Sequence, residues 1–234
     1  MTLSASAQRI GGRSHQCDAT SVATVGEARA YVLLDGIGSD DTVRAWTRAA
    51  SRRLAHAAAA LQDAESGLRA LHARYAAEPA RNHAWEELPL AAAVVAVAVP
   101  GKDLTVAWCG DSRAYLLHNG GLERLTEDHN ERRVYPAWGN RNVVTSCLGA
   151  TQTDEETQRH CRHPIIESVS RRAEGRLLLA SDGAYEPLED SGRDLAMYLS
   201  GTPREAALGF VQASIGHAGA HVDNATVLIA DLAA

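Results

Sequence analysis

The sequence predicts an α+β fold in which antiparallel β-sheets form a β-sandwich flanked by α-helices on both faces. Strand-like segments follow one another in runs instead of alternating singly with helices, which favours antiparallel sheets over a doubly wound parallel sheet. Turn sequences such as Pro100-Gly101-Lys102-Asp103 and His118-Asn119-Gly120-Gly121 separate neighbouring strands. Two segments with helical spacing, 41–77 and 187–215, are long enough to cover the outer faces of the sandwich.

The N-terminal part of the chain predicts two short strands and then helix. From residue 41 to about residue 77, apolar residues recur at helical spacing, and we expect two helices divided near Ser66-Gly67. Ser39 or Asp40 is the expected N-cap, because a short polar side chain accepts hydrogen bonds from the first turn. The strands are expected at 21–25 and 28–34, and a loop at 78–89.

The C-terminal part predicts mostly strands, followed by two helices. The continuous run of small aliphatic residues at 91–99 is typical of a buried strand. Helices are expected at 187–199 and 203–215, with Pro203 in a first-turn position. The remaining strands are expected at 104–109, 114–117, 143–148, 165–169, 176–180 and 224–231.

Length and composition predict a single domain. The chain has 234 residues, 45% of them hydrophobic, which is ordinary for a globular protein with a substantial core. No internal repeat and no low-complexity linker divides it, so residues 1–234 are assigned to one domain. Residues 1–10 are expected to form a flexible lead-in.

Charge and the lack of targeting signals argue against a nucleic-acid-binding, secreted or membrane-spanning protein. The net charge of −6 and the pI near 5.9 argue against nucleic-acid binding. Residues 1–12 have no basic and apolar regions of a secretion signal, and the apolar run 88–100 is too short for a membrane helix. The four cysteines form no Cys-x-x-Cys pair, so reduced thiols are expected. We therefore expect a cytoplasmic monomer that binds neither nucleic acid nor membranes.

Several aspartates lie where strand-like segments end. Asp35 and Asp182 each follow an apolar run and precede a glycine, and Asp223 begins another such stretch. Asp18 and Asp111 lie in similar turn contexts. Hard cations such as Mg²⁺ and Mn²⁺ prefer carboxylate oxygens, so these residues are candidate metal ligands. Taken singly, each also fits an ordinary turn aspartate.

The residues around these aspartates fall into five blocks in a recognisable order. The blocks are Arg13 through Asp18-Ala19, Asp35-Gly36-Ile37-Gly38, Gly110-Asp111-Ser112-Arg113 with Thr126-Glu127-Asp128-His129, Arg141-Asn142-Val143-Val144-Thr145 with Leu148-Gly149, and Ser181-Asp182-Gly183 with Asp223-Asn224-Ala225-Thr226-Val227. Together they resemble the motifs of bacterial members of the PPM family of metal-dependent Ser/Thr protein phosphatases, also called type 2C phosphatases. The resemblance spans residues 11–231 and implies the αββα sandwich of that family.

The resemblance also implies roles for individual residues around two Mg²⁺ or Mn²⁺ ions. Asp35 would bridge the two ions, and Asp182 and Asp223 would complete the first site. The Gly36 carbonyl would bind the second ion, and Asp18 would act there through water.

Further roles implied by the resemblance concern the phosphate and a third metal ion. Arg13 would bind the phosphate. Asp111 and Glu186 would join Asp182 at a possible third ion. The implied activity is hydrolysis of phosphoserine and phosphothreonine in proteins by metal-activated water, with a Ser/Thr kinase or its target as the expected partner.

Some residues depart from the family pattern. Cys17 precedes Asp18, Ile37 occupies a position that is His or Met in relatives, and the flap between His129 and Arg141 is short. An alternative hypothesis is therefore a pseudophosphatase that binds phosphoproteins without turnover, and hydrolysis of a small phosphate ester is a third.

Two other features have alternative interpretations. His129 is interpreted as a turn-capping residue, with a role in phosphate contact or proton transfer as the alternative. The arginines Arg44, Arg48, Arg52 and Arg53 are interpreted as a solvated helix face, with phosphoprotein docking as the alternative.

Overall fold

The structure is a computed structural model that describes residues 3–82, 87–220 and 222–232. Within these residues the strands form two five-stranded antiparallel sheets. One sheet has the order β1-β10-β9-β6-β7 and the other β2-β3-β4-β5-β8. The strands are β1 (Ser4–Arg9), β2 (Ala19–Val25), β3 (Ala28–Ile37), β4 (Leu90–Ala98), β5 (Leu104–Cys109), β6 (Arg113–His118), β7 (Gly121–Arg124), β8 (Glu167–Arg171), β9 (Gly175–Ala180) and β10 (Ala225–Leu232).

Helices cover the outer face of each sheet, so the predicted α+β sandwich with helices on both faces is confirmed. The α1 and α2 helices pack on the sheet that contains β3, and α5 and α6 pack on the sheet that contains β10. No helix among the described residues has both the length and the apolar composition needed to cross a membrane. The helices are α1 (Asp41–Leu61), α2 (Ala64–Ala76), α3 (Glu131–Val134), α4 (Asp154–Cys161), α5 (Asp182–Asp190) and α6 (Pro203–His217).

Strand periodicity separates three hydrophobic layers. In β3, Tyr31 and Leu33 point between the two sheets, whereas Val32 and Leu34 point towards the helices α1 and α2. All four side chains are fully buried. Because side chains alternate across a strand, Asp35 continues the face of Tyr31 and Leu33. This alternation places the Asp35 carboxylate between the two sheets.

The expectation of a flexible lead-in at residues 1–10 is wrong for most of that segment. Ser4–Arg9 forms the edge strand β1 and pairs with β10 from Ser4–Ala230 to Arg9–Ala225. Gln8 donates hydrogen bonds to the Asp18 carbonyl and to Thr226 Oγ1. Pairing with a strand from the far end of the sequence, which local patterns do not reveal, orders this segment.

The division of the first helical segment lies at Gln62 and Asp63, not at Ser66-Gly67. Gln62 adopts a left-handed conformation with φ of 56°, and Asp63 caps α2 by accepting a hydrogen bond from the Ser66 amide. Gly67 lies inside α2, where a Cβ atom would collide with Ala58 of α1. Gly67 is therefore a close helix–helix contact and not a helix breaker.

Two other expected elements differ from the structure. Residues 143–148 form only isolated bridges, Asn130–Val144 and Ala91–Leu148, because the segment crosses between two different partners. The helix expected to begin at Pro187 begins five residues earlier, at Asp182, with Pro187 inside it. The segment expected as a loop at 78–89 contains a short 3-10 turn at Pro79–Asn82. Residues 83–86 of that segment lie outside the described part.

Gly36 is fixed by the close approach of β3 to its neighbours. A Cβ atom at this position would lie 2.7 Å from the Cys17 carbonyl oxygen, 2.7 Å from Thr47 Oγ1 and 2.8 Å from Val43 Cγ1. No ordinary side chain fits without moving α1, so glycine is required for packing beside Asp35.

We predict that Gly36→Ala lowers the free energy of unfolding by about 1–3 kcal/mol, because overpacking forces backbone and side chains apart. Chemical denaturation measures the change. Gly209→Ala on the exposed side of α6, where a new Cβ meets nothing, is the control and should raise stability by about 0.5–1 kcal/mol. Equal stability of Gly36→Ala and wild type would contradict this account.

Candidate metal-binding and phosphatase site

A small cavity of about 260 Å³ brings together carboxylates from four separate parts of the chain. We call it the carboxylate cleft. Asp35 comes from β3, Asp111 from the loop after β5, Asp182 from the first turn of α5, and Asp223 from the segment before β10. Arg13, Gly36, Ile37, Gly38, Ala92, Asn142, Val144 and Asn224 complete its lining.

The carboxyl groups of Asp35 and Asp182 contact each other directly. Asp35 donates a hydrogen bond to Asp182, and the Gly183 amide also donates to Asp182 Oδ1 at 2.5 Å. Burial, followed by the charges of Asp18, Asp182 and Asp111, holds the pKa of Asp35 well above its usual range. Burial and the Asp223 charge raise the pKa of Asp182 as well. A proton between the two carboxyl groups reduces the repulsion between their negative charges. A bound metal cation would reduce that repulsion further.

Asp18 lies behind the cleft and does not line it. Its side chain is 2% exposed, and Ser181 Oγ donates to Oδ2 at 3.1 Å. The other oxygen, Oδ1, is buried and has no hydrogen-bond partner among the described residues. Burial, with the Asp182 charge, raises the pKa of Asp18 to about 7. Asp18 therefore faces the same cluster from its buried side.

Asp111 is held by a brace from α5. Its side chain is 6% exposed, and Tyr185 Oη donates to its backbone carbonyl at 3.0 Å. The Arg113 guanidinium lies 3.7 Å from the centre of the Tyr185 ring and donates two hydrogen bonds of 2.7 Å to Asp128. Burial and the charges of Asp182 and Asp128 hold the pKa of Asp111 well above its usual range.

Arg13 and Asp223 form an ion pair at the rim of the cleft. Arg13 Nη2 lies 2.5 Å from Asp223 Oδ2, and the two side chains are 47% and 39% exposed. The loop behind them is fixed by Asn224, which accepts from the Cys17 amide and donates to the Ile10 carbonyl. The hydrogen bond to Asp223 raises the pKa of Arg13, which therefore stays a cation.

Glu186 lies in a second cavity of about 750 Å³ that adjoins the carboxylate cleft through Arg13, Asn142, Asp182 and Asp223. We call it the outer cavity. Arg141 Nε lies 3.3 Å from Glu186 Oε1. Arg141 also donates two hydrogen bonds, of 2.8 and 2.6 Å, to Asp190. Burial and the Asp182 charge raise the pKa of Glu186 to about 7.

The carboxylates fit divalent metal ions by chemical type, but they are not arranged as a finished metal centre. No three His, Cys, Asp or Glu side chains in the described ranges surround one point closely enough to hold a metal ion. Asp223 and Glu186 each pair with an arginine, and Asp182 accepts from Gly183. The unpartnered buried oxygen of Asp18 and the raised carboxyl pKa values are what a bound cation would resolve.

Comparison with known proteins finds similarity to one group of phosphatases. The family model described as Protein phosphatase 2C matches residues 38–133. The serine/threonine protein phosphatase PstP of Mycobacterium tuberculosis is 29% identical over 220 residues, covering 88% of this chain and 40% of PstP. The chain thus spans about 40% of the length of that relative.

Solved structures share the fold along the whole chain. The serine/threonine phosphatase of S. agalactiae superposes with a TM-score of 0.78 at 17% identity, covering 100% of both chains. The catalytic domain of PstP in complex with two manganese ions superposes with a TM-score of 0.68 at 24% identity, covering 100% of this chain and 99% of that one.

Over residues 38–133 the chain is similar to the protein phosphatase 2C family. The αββα fold implied by the sequence motifs is therefore confirmed.

In the structure, the site residues predicted from the sequence divide into three groups. Arg13, Asp35, Gly36, Asp111, Asp182 and Asp223 all line the carboxylate cleft. Glu186 lines only the outer cavity, and Asp18 lies behind the cleft wall. The local settings of Asp35 and Asp182 differ from the expected strand-end turns: Asp35 is paired with Ala92 inside β3, and Asp182 begins α5.

Sequence reasoning did not assign site roles to several residues that shape the cleft. Arg141 and Asn142 line the outer cavity, and Asn142 also lines the cleft, although both were recognised only as part of a motif block. Ser181 holds Asp18, and Tyr185 holds the Asp111 backbone. Ser181 is adjacent to Asp182 in the Ser-Asp-Gly motif, which is a usable signal, whereas nothing local marks Tyr185.

His129 lies in a buried network, not in the cleft. It is 0% exposed, with Nδ1 2.5 Å from Ser146 Oγ and Nε2 2.8 Å from Glu167 Oε2. Its ring stacks on His163 at 4.0 Å, and Arg133 forms an ion pair of 2.6 Å with Glu167. The proton-transfer alternative for His129 is therefore not supported, because its ring has no access to the cleft.

The network predicts neutral His129 beside ionised Glu167. Burial lowers the pKa of His129 to about 4. Burial raises the pKa of Glu167. Hydrogen bonds from His129 and Arg133 have a larger, opposite effect and lower the pKa of Glu167 to about 2. Since a carboxylate only accepts, His129 Nε2–H donates to Glu167 and Nδ1 accepts from Ser146. The backbone of His129 also donates to the Gly110 carbonyl, next to Asp111.

We predict that buried His129 makes the protein sensitive to acid. Below its ordinary pKa of about 6.5 the unfolded state binds a proton that the folded state excludes until about pH 4. His129→Gln should cost about 1–3 kcal/mol at neutral pH through lost buried hydrogen bonds. The difference from wild type should shrink by about 2 kcal/mol between about pH 7 and pH 5, because only wild type loses the histidine contribution.

Denaturation at the two pH values measures this change. His56→Gln on the exposed side of α1 is the control for loss of a surface histidine. Parallel stability curves for wild type and His129→Gln would show that the ring titrates normally in the folded state.

Proposed function

We propose that the protein is a Mg²⁺- or Mn²⁺-dependent phosphatase that hydrolyses phosphoserine and phosphothreonine in proteins. The observation that carries the proposal is the convergence of Asp35, Asp111, Asp182 and Asp223 with Arg13 in one cleft. An excess of carboxylates beside one exposed guanidinium suits a site that binds cations and a phosphate together. The similarity of residues 38–133 to the protein phosphatase 2C family supports the same activity.

The proposed metal ligands are those that the family motifs indicate. Asp35, Asp182 and Asp223 would hold the first ion, and Asp35 would share the second with the Gly36 carbonyl and, through water, Asp18. A third ion would bind Asp111, Asp182 and Glu186. When bound, the ions supply activation of water as the nucleophile at neutral pH and neutralisation of phosphate charge.

The other residues prepare the site for a phosphomonoester. Arg13 is exposed at the rim, where its guanidinium can leave Asp223 and donate two parallel hydrogen bonds to phosphate oxygens. The Tyr185 brace fixes the backbone of Asp111, and Asn224 fixes the Asp223 loop, so metal binding would require movement mainly of the carboxylate side chains. The outer cavity beside the cleft offers room for residues that flank the phosphorylated side chain.

We also propose that residues 1–234 form one domain and that the protein is a cytoplasmic monomer whose substrate is the target of a Ser/Thr kinase. The cysteines support the cellular compartment. Cys17, Cys109, Cys147 and Cys161 are all free thiols, as is usual in a reducing environment.

Metal-dependent turnover tests the activity. Wild type should hydrolyse p-nitrophenyl phosphate and a phosphothreonine peptide with Mn²⁺ and lose this activity in EDTA. Asp182→Asn should lower kcat by about 100-fold or more, because it removes a shared anionic ligand. Asp103→Asn in an exposed turn is the matched control and should retain wild-type rates. Binding of the phosphopeptide without release of phosphate would support the pseudophosphatase alternative instead.

The role of Arg13 has a separate test. Arg13→Ala should lower kcat/KM by about 10²- to 10³-fold, because phosphate charge loses its guanidinium partner. Arg13→Lys should recover part of the loss, since lysine keeps the charge but not the two-pronged geometry. Arg172→Ala, whose side chain is 85% exposed in wild type, is the control for removal of a surface arginine. A rate within twofold of wild type for Arg13→Ala would remove Arg13 from the phosphate site.

A further inference from the structure

One flank of α1 carries a row of basic side chains that the proposed chemistry does not use. Arg44, Arg48, Arg52 and His56 recur every fourth residue, and we call them the basic stripe. Residues at this spacing lie on one side of a helix, about 6 Å apart along its axis. Arg48, Arg52 and His56 are exposed, and Arg44 is 40% exposed.

Most of the basic stripe has no anionic partner within the protein. Arg44 pairs with Asp41 at 2.6 Å. The side chains of Arg48, Arg52 and His56 form no ion pair or hydrogen bond with any residue in the described ranges. This positive row is unusual on a chain with a net charge of −6.

The basic stripe faces away from α2. The α2 side of α1 is marked by Trp46, whose ring centre lies 5.0 Å from that of Tyr75, and by Arg53, which donates to Tyr75 Oη. Arg48 and Arg52 lie on the other flank of the helix. The α1 helix packs over β2 and β3, so that flank overlooks β2.

Strand β2 is an edge strand. It pairs with β3 on one side and has no strand partner on the other among the described residues. Such an edge presents unpaired N–H and C=O groups to an extended peptide. Val22, in the middle of β2, is 39% exposed.

Strand β2 and helix α1 both begin next to the carboxylate cleft. Strand β2 begins at Ala19, immediately after Asp18. Helix α1 begins at Asp41, three residues after Gly38, which lines the cleft. A chain that leaves the cleft along β2 would therefore pass the basic stripe from Arg44 to His56.

The spacing of the stripe fits an extended peptide. Alternate side chains of an extended chain lie on one face and about 6.6 Å apart, close to the spacing of about 6 Å along the stripe. Acidic residues at alternate positions could thus meet successive basic groups.

We propose that an acidic, extended segment of the phosphoprotein substrate docks along the outer edge of β2 and places alternate carboxylates against the basic stripe. The proposal rests on the proposed phosphatase function and names the substrate class that this site prefers. The net negative charge of the chain disfavours a long polyanion such as nucleic acid, which a local stripe would not overcome.

Charge reversal of the stripe tests the proposal. The probes are two phosphothreonine peptides, one with glutamates at alternate positions on both sides of the phosphothreonine and one with glutamines there. For the acidic peptide, Arg48→Glu/Arg52→Glu should lower kcat/KM by about 5- to 20-fold at about 0.02 M salt. The loss should shrink towards about twofold at about 0.3 M salt. The glutamine peptide and p-nitrophenyl phosphate should change less than about twofold, because neither reaches the stripe.

A matched control separates local from global charge. Arg193→Glu/Arg204→Glu makes the same change in net charge at exposed positions after α5 and in α6, on the side of the other sheet, and should leave the acidic peptide unaffected. Equal losses in the two double variants would overturn the docking proposal, as would equal kcat/KM values of wild type for both peptides.

Direct binding keeps the test independent of catalysis. If wild type hydrolyses no phosphate ester, the proposed function fails, but fluorescence anisotropy with a labelled, unphosphorylated acidic peptide still measures docking. Docking predicts weaker binding to Arg48→Glu/Arg52→Glu than to wild type. Vesicles containing phosphatidylserine form a further arm. Stripe-dependent binding to the vesicles, without binding to the peptide, would overturn the proposal in favour of a membrane surface.

Discussion

Mutual repulsion among buried carboxylates is the constraint around which the site is built. Asp18 and Asp111 are almost fully buried, and Asp35 and Asp182 share a hydrogen bond between them. Burial and the charges of neighbouring carboxylates raise the pKa values of Asp18, Asp35, Asp111 and Asp182, so the cluster is costly in the absence of cations. The large hydrophobic layers of the sandwich must offset that cost. A site of this kind holds ligands close together at the expense of stability, as is common where function requires concentrated charge.

The surrounding fold supports the carboxylates mainly through their backbone. Asp35 belongs to β3, which is paired on both sides, and Asp111 is held through its carbonyl by Tyr185. Asn224 joins the segment before β10 to the Cys17 amide and the Ile10 carbonyl. These contacts fix where each chain segment runs while the carboxylate groups remain available. The arginines at the rim, in contrast, are exposed. A bound cation could replace Arg13 beside Asp223 and Arg141 beside Glu186.

The sequence was informative wherever a residue's role depended on its near neighbours. Alternation in β3 explains why Tyr31 and Leu33 are buried between the sheets and why Asp35 follows them. The order of motif blocks identified most residues of the cleft. Patterns failed where long-range pairing decided the outcome: Ser4–Arg9 is ordered by β10, more than 200 residues away in the sequence, and the Tyr185 contact to Asp111 joins separate elements. Gly67 looked like a helix breaker because Ala58, the residue against which it packs, lies in another helix.

The pairing of β1 with β10 determines where the two ends of the chain emerge. Arg9 pairs with Ala225 near the cleft, whereas Ser4 pairs with Ala230 at the other end of the same sheet. Both strands therefore extend away from the carboxylates by about 15–20 Å. A fusion partner, an affinity tag or a surface tether joined next to Ser4 or Leu232 would start at the end of the sandwich opposite the cleft. Immobilised protein would present an open cleft to solution, which makes either end suitable for attachment to a sensor.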